Sequence, residues 1–291
     1  MEPIRALLCG LGLSNEDSFE PFYPRTRDRQ DVAVLRCRKS GVIVLSRSDH
    51  VSTQYYEQLE AFKYWDASDR RKAELFGYED EQRRQAQLTP FVLGKKWLDI
   101  GTGTGALLNR LSPVVGELVA VEPQPEARAA LAAAGYRVYR SVADVPDTDC
   151  DVVTLFHVLE HLDDPVTVLA TARSKMKPGG KLIVEVPHAR DFLIDFLSVE
   201  AFKAFTFWSE HLILHTRDSL RTFLAAGGFS QIVLSGHQRF SLANHLYWLA
   251  RGKPGGHVEW AILRSPSIDQ SYGELLSRLD HTDTLIAVAS S

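Results

Sequence analysis

Apolar residues fall into two rhythms along this chain. Short, almost continuous apolar runs occupy 96–100, 117–121, 136–140, 151–156, 181–186, 230–234 and 284–289. Runs of that length, bounded by Gly, Pro or acidic residues, predict buried strands. Between them lie segments with helical spacing at 126–134, 166–176 and Arg217–Ala226. Thr216 suits the N-cap of the last, and Gly227-Gly228 suits its stop. Strand alternating with helix predicts an α/β fold built on a mostly parallel sheet.

Three stretches do not follow this alternation. Residues 1–50 precede it and carry short hairpin-like runs at 32–37 and 41–45. Residues 51–90 are aromatic and charged, with Tyr55, Tyr56, Leu59, Phe62, Tyr64 and Trp65 at near-helical spacing. They predict a helical cap over the cleft of the 91–291 core. Tyr55 and Tyr56 could reach a substrate, but packing on the core is the commoner fate of such a stripe. Segments 188–215 and 236–281 interrupt the core. Ligands of open α/β sheets bind outside the carboxyl ends of the strands. The 188–215 insertion leaves from that edge and is expected to roof an acceptor pocket, with 236–281 as a second wall.

Composition narrows the class. An apolar share of 45% supports a sizeable core, and a net charge of −4 gives no basic surface for nucleic acid. Arg25, Arg27 and Arg29 are interrupted by Asp28 and Asp31 and read as a solvated loop. Arg70-Arg71-Lys72 and Arg83-Arg84 read as exposed helix faces. No apolar run is long enough to cross a bilayer, so membrane insertion is not expected. The apolar stretch 4–13 follows Glu2 and leads to no small-residue cleavage site. Three cysteines, Cys9, Cys37 and Cys150, make no disulfide framework. A cytoplasmic enzyme is expected; its oligomeric state is open.

The candidate chemistry begins at Leu98-Asp99-Ile100-Gly101-Thr102-Gly103-Thr104-Gly105. An apolar strand ends in an acidic residue and turns through alternate glycines toward a helix, whose free N–H groups could face a carboxylate or phosphate. The spacing is not Gly-x-Gly-x-x-Gly, and no Gly-Lys-Ser/Thr follows, so neither a nicotinamide site nor a P-loop is indicated. The next run ends in Glu122-Pro123, where a carboxylate can take both hydroxyls of a ribose. A third runs from Cys150 through Phe156-His157 into Val158-Leu159-Glu160-His161-Leu162-Asp163-Asp164-Pro165, and Lys177-Pro178-Gly179-Gly180 turns into a fourth.

This ordered set, over about residues 91–235, resembles the class I S-adenosylmethionine-dependent methyltransferases, and most nearly the small-molecule enzymes of sugar, polysaccharide and quinone pathways. The resemblance implies a doubly wound, mostly parallel, seven-stranded Rossmann-like methyltransferase sheet whose last strand is antiparallel. It implies S-adenosyl-L-methionine as donor. Gly101, Thr102, Gly103 and Gly105 would line its methionine end, with Asp99 near the ammonium group. Glu122 and Pro123 would meet the ribose, and Ser141-Val142-Ala143-Asp144 would pass the adenine. Relatives often carry an acidic residue at the position of Ser141. Phe156 and His157 would border the methionine.

Many relatives also carry a zinc ribbon with Cys-x-x-Cys-Gly twice. Here Ala6 and Ser40 replace the partners of Cys9 and Cys37. Two ligands of four cannot close a tetrahedral site, so the segment reads as a β appendage that has lost its metal. The alternative is two unrelated buried thiols.

His157, Glu160 and His161 would share one helical face if a helix starts there. Some quinone-pathway O-methyltransferases hold a divalent ion with Glu-x-x-Glu-His at this place. His157 replaces the first Glu here, so a donor-pocket or capping role without metal is expected. His188, His157 and His211 are the candidate general bases, His188 first, because imidazole titrates near neutrality. His211 could equally be architectural. The rings and polar groups of 236–240 and 244–248 suit a sugar, although Leu242, Leu246 and Leu249 with Trp248 could be a buried stripe. The expected activity is methyl transfer to a small molecule, an oxygen of a sugar or glycan precursor first. A quinone-like phenol, a carbon acceptor, or a non-catalytic donor-binding subunit are the alternatives.

Overall fold

The computed structural model describes residues 3–51, 55–56, 70–146 and 148–291, with side chains of the helix at 70–92 described from residue 79. Leu59, Phe62, Tyr64 and Trp65 lie outside the described residues.

The main sheet has seven strands: β4 (Lys96–Ile100), β5 (Glu117–Val121), β6 (Arg137–Tyr139), β7 (Cys150–Phe156), β8 (Met176–Pro187), β10 (Ser230–His237) and β11 (Thr284–Ser290). Their order is β10-β11-β8-β7-β4-β5-β6. Strands β4 to β8 pair parallel, while β11 is antiparallel to both β8 and β10. Successive side chains of a strand point to opposite faces. Leu98, Val119, Val153 and Val184 pack on one face, Trp97, Ala120, Val152 and Ile183 on the other. Burial on both faces is why these strands read as continuous apolar runs. The second face is covered by Leu88 and Val92 of helix α2 (Arg70–Val92) and by Leu107, Leu108 and Leu111 of α3 (Ala106–Leu111).

Helices α4 (Pro125–Ala133), α5 (Pro165–Ser174) and α7 (Arg217–Ala226) match the helical rhythm. Helix α5 stops earlier than its pattern suggested, because Met176 opens β8. Thr216 caps α7: its hydroxyl accepts from Ser219 N, and Ser219 Oγ accepts from Thr216 N.

Residues 3–51 form helix α1 (Pro3–Gly10) and strands β1 (Phe19–Tyr23), β2 (Val34–Cys37) and β3 (Ile43–Leu45). A fourth strand, β9 (Ile213–Leu214), comes from the first insertion and pairs with β3. Ile4, Leu8, Val34 and Ile43 share one apolar cluster with the main sheet, so this appendage is welded to the core. Its Cys37 is buried, Cys9 Sγ lies 3.3 Å from Ser14 Oγ, and Ser40 Oγ is buried without a hydrogen-bond partner among the described residues.

The insertions are helical. The first contains a π-helical turn (Phe192–Phe196) and α6 (Glu200–Thr206); the second contains α8 (Leu242–Arg251), α9 (Gly256–Glu259) and α10 (Pro266–Leu279). In α8 the inward face is Asn244, His245, Tyr247 and Trp248, whereas Leu246 and Leu249 face out. Of the stripe that spacing offered, Trp248 is buried and Leu242 half-buried as expected, while Leu246 and Leu249 are corrected to the outer face.

Candidate active site

Strand β4 delivers Asp99 to the sheet's carboxyl edge, 5% exposed. Its Oδ1 accepts from Thr154 Oγ1 (2.5 Å), which in turn accepts from Trp97 Nε1 (2.8 Å). Burial pushes the Asp99 carboxyl up to about 7. The loop beyond folds over β5, with Gly101 N and Thr102 N donating to the Val121 carbonyl. Gly101 lies at φ +77°, and a Cβ there would sit 2.2 Å from Val158 Cγ2. Only glycine fits that approach.

Glu122 ends β5 and is 3% exposed. One carboxylate oxygen accepts from Gly103 N (2.7 Å), the other from Gln124 N (2.8 Å). Burial lifts this carboxyl to about 7 although both backbone bonds pull it down. Ser141 spends its hydroxyl locally: Oγ donates to Asp144 Oδ2 (2.8 Å) across the turn Val142–Asp144. Helix α3 has six residues, so the helix start after the glycines is short.

At the end of β7 the chain departs from expectation. His157 lies at φ +53°, and only a 3-10 turn, Leu159–His161, follows. His157 and His161 therefore do not share a helical face. His157 Nδ1 bonds Glu160 Oε1 (3.0 Å), while Nε2 lies 3.2 Å from Arg239 Nη1 and 3.3 Å from Glu185 Oε1. Burial and Arg239 push the imidazole down, but the bonds to Glu160 and Glu185 outweigh them and raise it above its ordinary value. Burial alone would raise Glu160; His157 brings it down to about 2.

Glu185 of β8 is held by Arg83 Nη2 (2.7 Å) and Arg84 Nη2 (2.8 Å), which overcome its burial and keep it well below the usual carboxylate range. Arg84 is 7% exposed and lies over the Phe156 ring. Arg83-Arg84 is thus no exposed helix face, as its sequence suggested. A buried glutamate in a central strand requires a counter-ion, and these are its partners. Arg239, from the second insertion, joins Asp80 of α2 to Asp283.

The candidate histidines divide between different sets of partners. His211 stands beside His161, rings 4.9 Å apart at 81°, and burial pushes it down to about 3. Tyr56 OH lies 2.9 Å from His161 Nδ1 and Tyr55 OH donates to Glu210 Oε1, so both tyrosines reach this corner. Ligand atoms of Glu160, His161 and His211 all lie within 4.8 Å of one another. His188 keeps other company: Nδ1 bonds the Thr282 carbonyl (2.9 Å), Nε2 lies 3.8 Å from Asp280, and burial pushes it down to about 4. Between the insertions, Phe192 stacks on His245, whose Nδ1 bonds Tyr272 OH (2.7 Å). Gln238 bridges His245 and Asp283.

A methyltransferase-domain family model matches residues 50–234, which include the carboxyl edge just described. The chain belongs to that family. The methyltransferase is 26% identical over 157 residues to the ubiquinone biosynthesis O-methyltransferase of Xanthomonas euvesicatoria, covering 48% of this chain and 65% of the relative. It is 30% identical over 159 residues to the enzyme of that name from Stutzerimonas stutzeri, covering 47% and 63%. The chain thus spans somewhat under two thirds of these relatives' length. Its fold resembles that of an S-adenosylmethionine-dependent methyltransferase from Archaeoglobus fulgidus, with TM-score 0.51, 19% identity, and 75% and 99% of the two chains covered. It also resembles a chain from the complex of the Haloferax volcanii Trm112 methyltransferase activator, with TM-score 0.52, 16% identity, and 76% and 92% covered. The methyltransferase has the class I sheet, and S-adenosylmethionine is the donor of the class.

Sequence reasoning missed Glu185, Arg83, Arg84, Arg239 and Asp283 as site residues. An acidic residue inside the apolar run of β8 was the one available signal. The arginines that answer it lie far away in sequence.

Proposed function

We propose that this methyltransferase moves the donor methyl to a hydroxyl oxygen on a small ring-containing acceptor, a quinone-like phenol first. The observation that carries the reading is His157, which sits at the end of β7 with Nδ1 on Glu160 and Nε2 beside Glu185 and Arg239. In the neutral tautomer whose Nδ1–H donates to Glu160, Nε2 holds the lone pair, the arrangement of an oriented general base; Arg239 Nη1, 3.2 Å away, would have to swing aside for Nε2 to take a proton. A proton taken on Nε2 would be met by Glu185 at 3.3 Å. Names of the ubiquinone-pathway relatives support a phenolic acceptor. The sugar reading draws on the polar set of Gln238, Asp283 and His245 between the insertions and stands second.

The residues present fit the donor. A carboxylate offers about four acceptor sites, and Glu122 commits one per oxygen to a backbone N–H. Each oxygen keeps a lone pair for a ribose hydroxyl. Asp99 would face the ammonium group, the Gly101–Gly105 loop the methionine, Val142 and its neighbours the adenine, and Phe156 the methionine from β7. S-adenosylmethionine supplies a methyl already activated by its sulfonium, so the chain's tasks are alignment and proton removal.

The test is labelled methyl transfer to matched phenolic and sugar acceptors, with His157→Ala and His188→Ala. His157→Ala should lower kcat by about 10²–10⁴ and leave donor affinity nearly unchanged. Retained turnover in His157→Ala, or transfer only to sugars, refutes the base or the acceptor respectively. No transfer to any acceptor favours a donor-binding subunit.

A further inference from the structure

We propose that Arg239 is a catalytic residue that touches the acceptor: the acceptor hydroxyl inserts between Arg239 Nη1 and His157 Nε2, accepting from the guanidinium while its own proton faces the imidazole. This rests on the phenolic acceptor proposed above and adds the side chain that steadies its oxygen. Three observations carry it. The contact to be opened is already polar, with Nη1 3.2 Å from Nε2 at the end of β7. A hydroxyl both accepts and donates, so it can take that place with Nη1 and Nε2 each still satisfied. Second, Arg239 has donors unspent. Among the described residues its guanidinium hydrogen bonds all leave from Nη1, to Asp80 Oδ2 (3.3 Å) and His157. Its Nε is buried without a hydrogen-bond partner, with Asp283 Oδ1 at 3.5 Å. Buried donors without partners are costly, and an anionic oxygen is the partner a guanidinium suits. Third, the neighbouring arginines are committed. Arg83 uses one Nη on Asp80 and Glu185 and the other on Gln87, and Arg84 divides its two between Glu81 and Glu185.

The arm can move while its base stays fixed, because Arg239 N and Phe240 N both donate to Asp283 Oδ2 (3.0 and 3.2 Å). The charged and titratable groups around the guanidinium are Asp80, Arg83 and Arg84 of α2, Glu185 of β8, His157, Asp283, and His237 at the end of β10. In the step, the hydroxyl proton passes to His157 Nε2 and the oxygen bonds the donor's methyl carbon. The carbon–sulfur bond breaks with its electron pair left on sulfur, and the imidazolium then returns its proton to water. A guanidinium held at the oxygen lowers the cost of ionising it. Phenols ionise far more readily than sugar alcohols, so the arrangement selects a phenol.

4-Nitrophenol, whose phenolate absorbs visible light, reads this contact without turnover. Bound to the chain beside S-adenosylhomocysteine, it should ionise about 1–3 pH units lower than in free solution. Arg239→Gln should lose most of that lowering, and Arg251→Gln, at an exposed arginine, should keep it. In labelled methyl transfer to substituted phenols, Arg239→Gln should lower kcat by about 10²–10³ and leave donor affinity unchanged. The loss should grow with the pKa of the acceptor hydroxyl, a trend that a merely structural arginine would not produce. Should Arg239→Gln fail to fold, combining it with Asp80→Asn removes a carboxylate it would strand and should give the same losses. If 4-nitrophenol binds without the lowering, or shows it equally in Arg239→Gln, or if kcat is unchanged there, the role of Arg239 is overturned while the phenolic acceptor stands. If phenols neither bind nor accept methyl, both fall.

Discussion

At the scale of single residues, the proposed donor cleft has two buried carboxyls, Asp99 and Glu122. Asp99 and Glu122 are both pushed by burial to about 7. Their folded-state affinity for protons exceeds that of the unfolded chain. Their contribution to stability is therefore present below the usual carboxylate range and is lost as pH rises toward and through 7. Donor binding has the opposite need, because hydroxyls and an ammonium group favour the carboxylates. Donor affinity should rise from pH 6 to pH 8 while the melting temperature of the donor-free chain falls. Calorimetry and thermal melts across that range check both signs, and a flat affinity profile would remove these carboxyls from the donor site. Glu122→Ala also frees the Gly103 and Gln124 N–H groups. It should cost donor binding about 1.5–3 kcal/mol, the worth of hydrogen bonds to a charged group.

Elements meet at the carboxyl edge through charge. Arg83 and Arg84 of α2 reach Glu185 of β8, and Arg239 of the second insertion reaches Asp80 and Asp283. Breaking a buried pair on one side strands a charge, which costs about 3–5 kcal/mol. Arg84→Met should fall at the lower end in urea unfolding, because Arg83 still holds Glu185. Adding Glu185→Leu removes the stranded carboxylate and leaves Arg83 its bonds to Asp80 (3.2 Å) and Gln87 (2.8 Å), so the double loss should be smaller than the sum of the two single losses; a fully additive pair would deny the coupling. This edge was the least legible part of the chain. Strands β4, β5, β7 and β8 could be read because burial on both faces makes apolar runs, and α7 because Thr216 and Gly227 mark its ends. Strand β9 is two residues long and carries no period of its own. Arg83-Arg84 looks like a solvated pair until β8 brings Glu185 beside it. The glycine loop and Glu122 were legible because they are local in sequence; the contacts of His157 with Glu185 and Arg239 are long-range and were not.

Across the whole molecule, the small sheet and the catalytic sheet are joined through one loop. Asp28, between β1 and β2, accepts from Ser209 N (3.0 Å) and Ser209 Oγ (2.5 Å). His50 Nε2 meets the Ser209 carbonyl at 2.8 Å, and three residues on Leu212 N donates to the carbonyl of Glu160. The loop carrying His211 is thus held from the appendage on one side and from the end of β7 on the other. Burial pushes Asp28 up, yet the Ser209 bonds prevail and hold it below its ordinary value. That contribution persists above the usual carboxylate range and fades as pH falls through the lowered value. Asp28→Ala removes both bonds and should cost about 1–3 kcal/mol, the penalty for leaving polar groups without partners. The loss should be local before it is global. Hydrogen exchange at the Leu212 amide should quicken in Asp28→Ala, while amides of β4 and β7, inside the seven-stranded sheet, keep their protection. Equal loss of protection in both places would mean that the appendage supports the core directly rather than through the loop. An unchanged Leu212 amide would mean that the contact with Glu160 alone fixes His211.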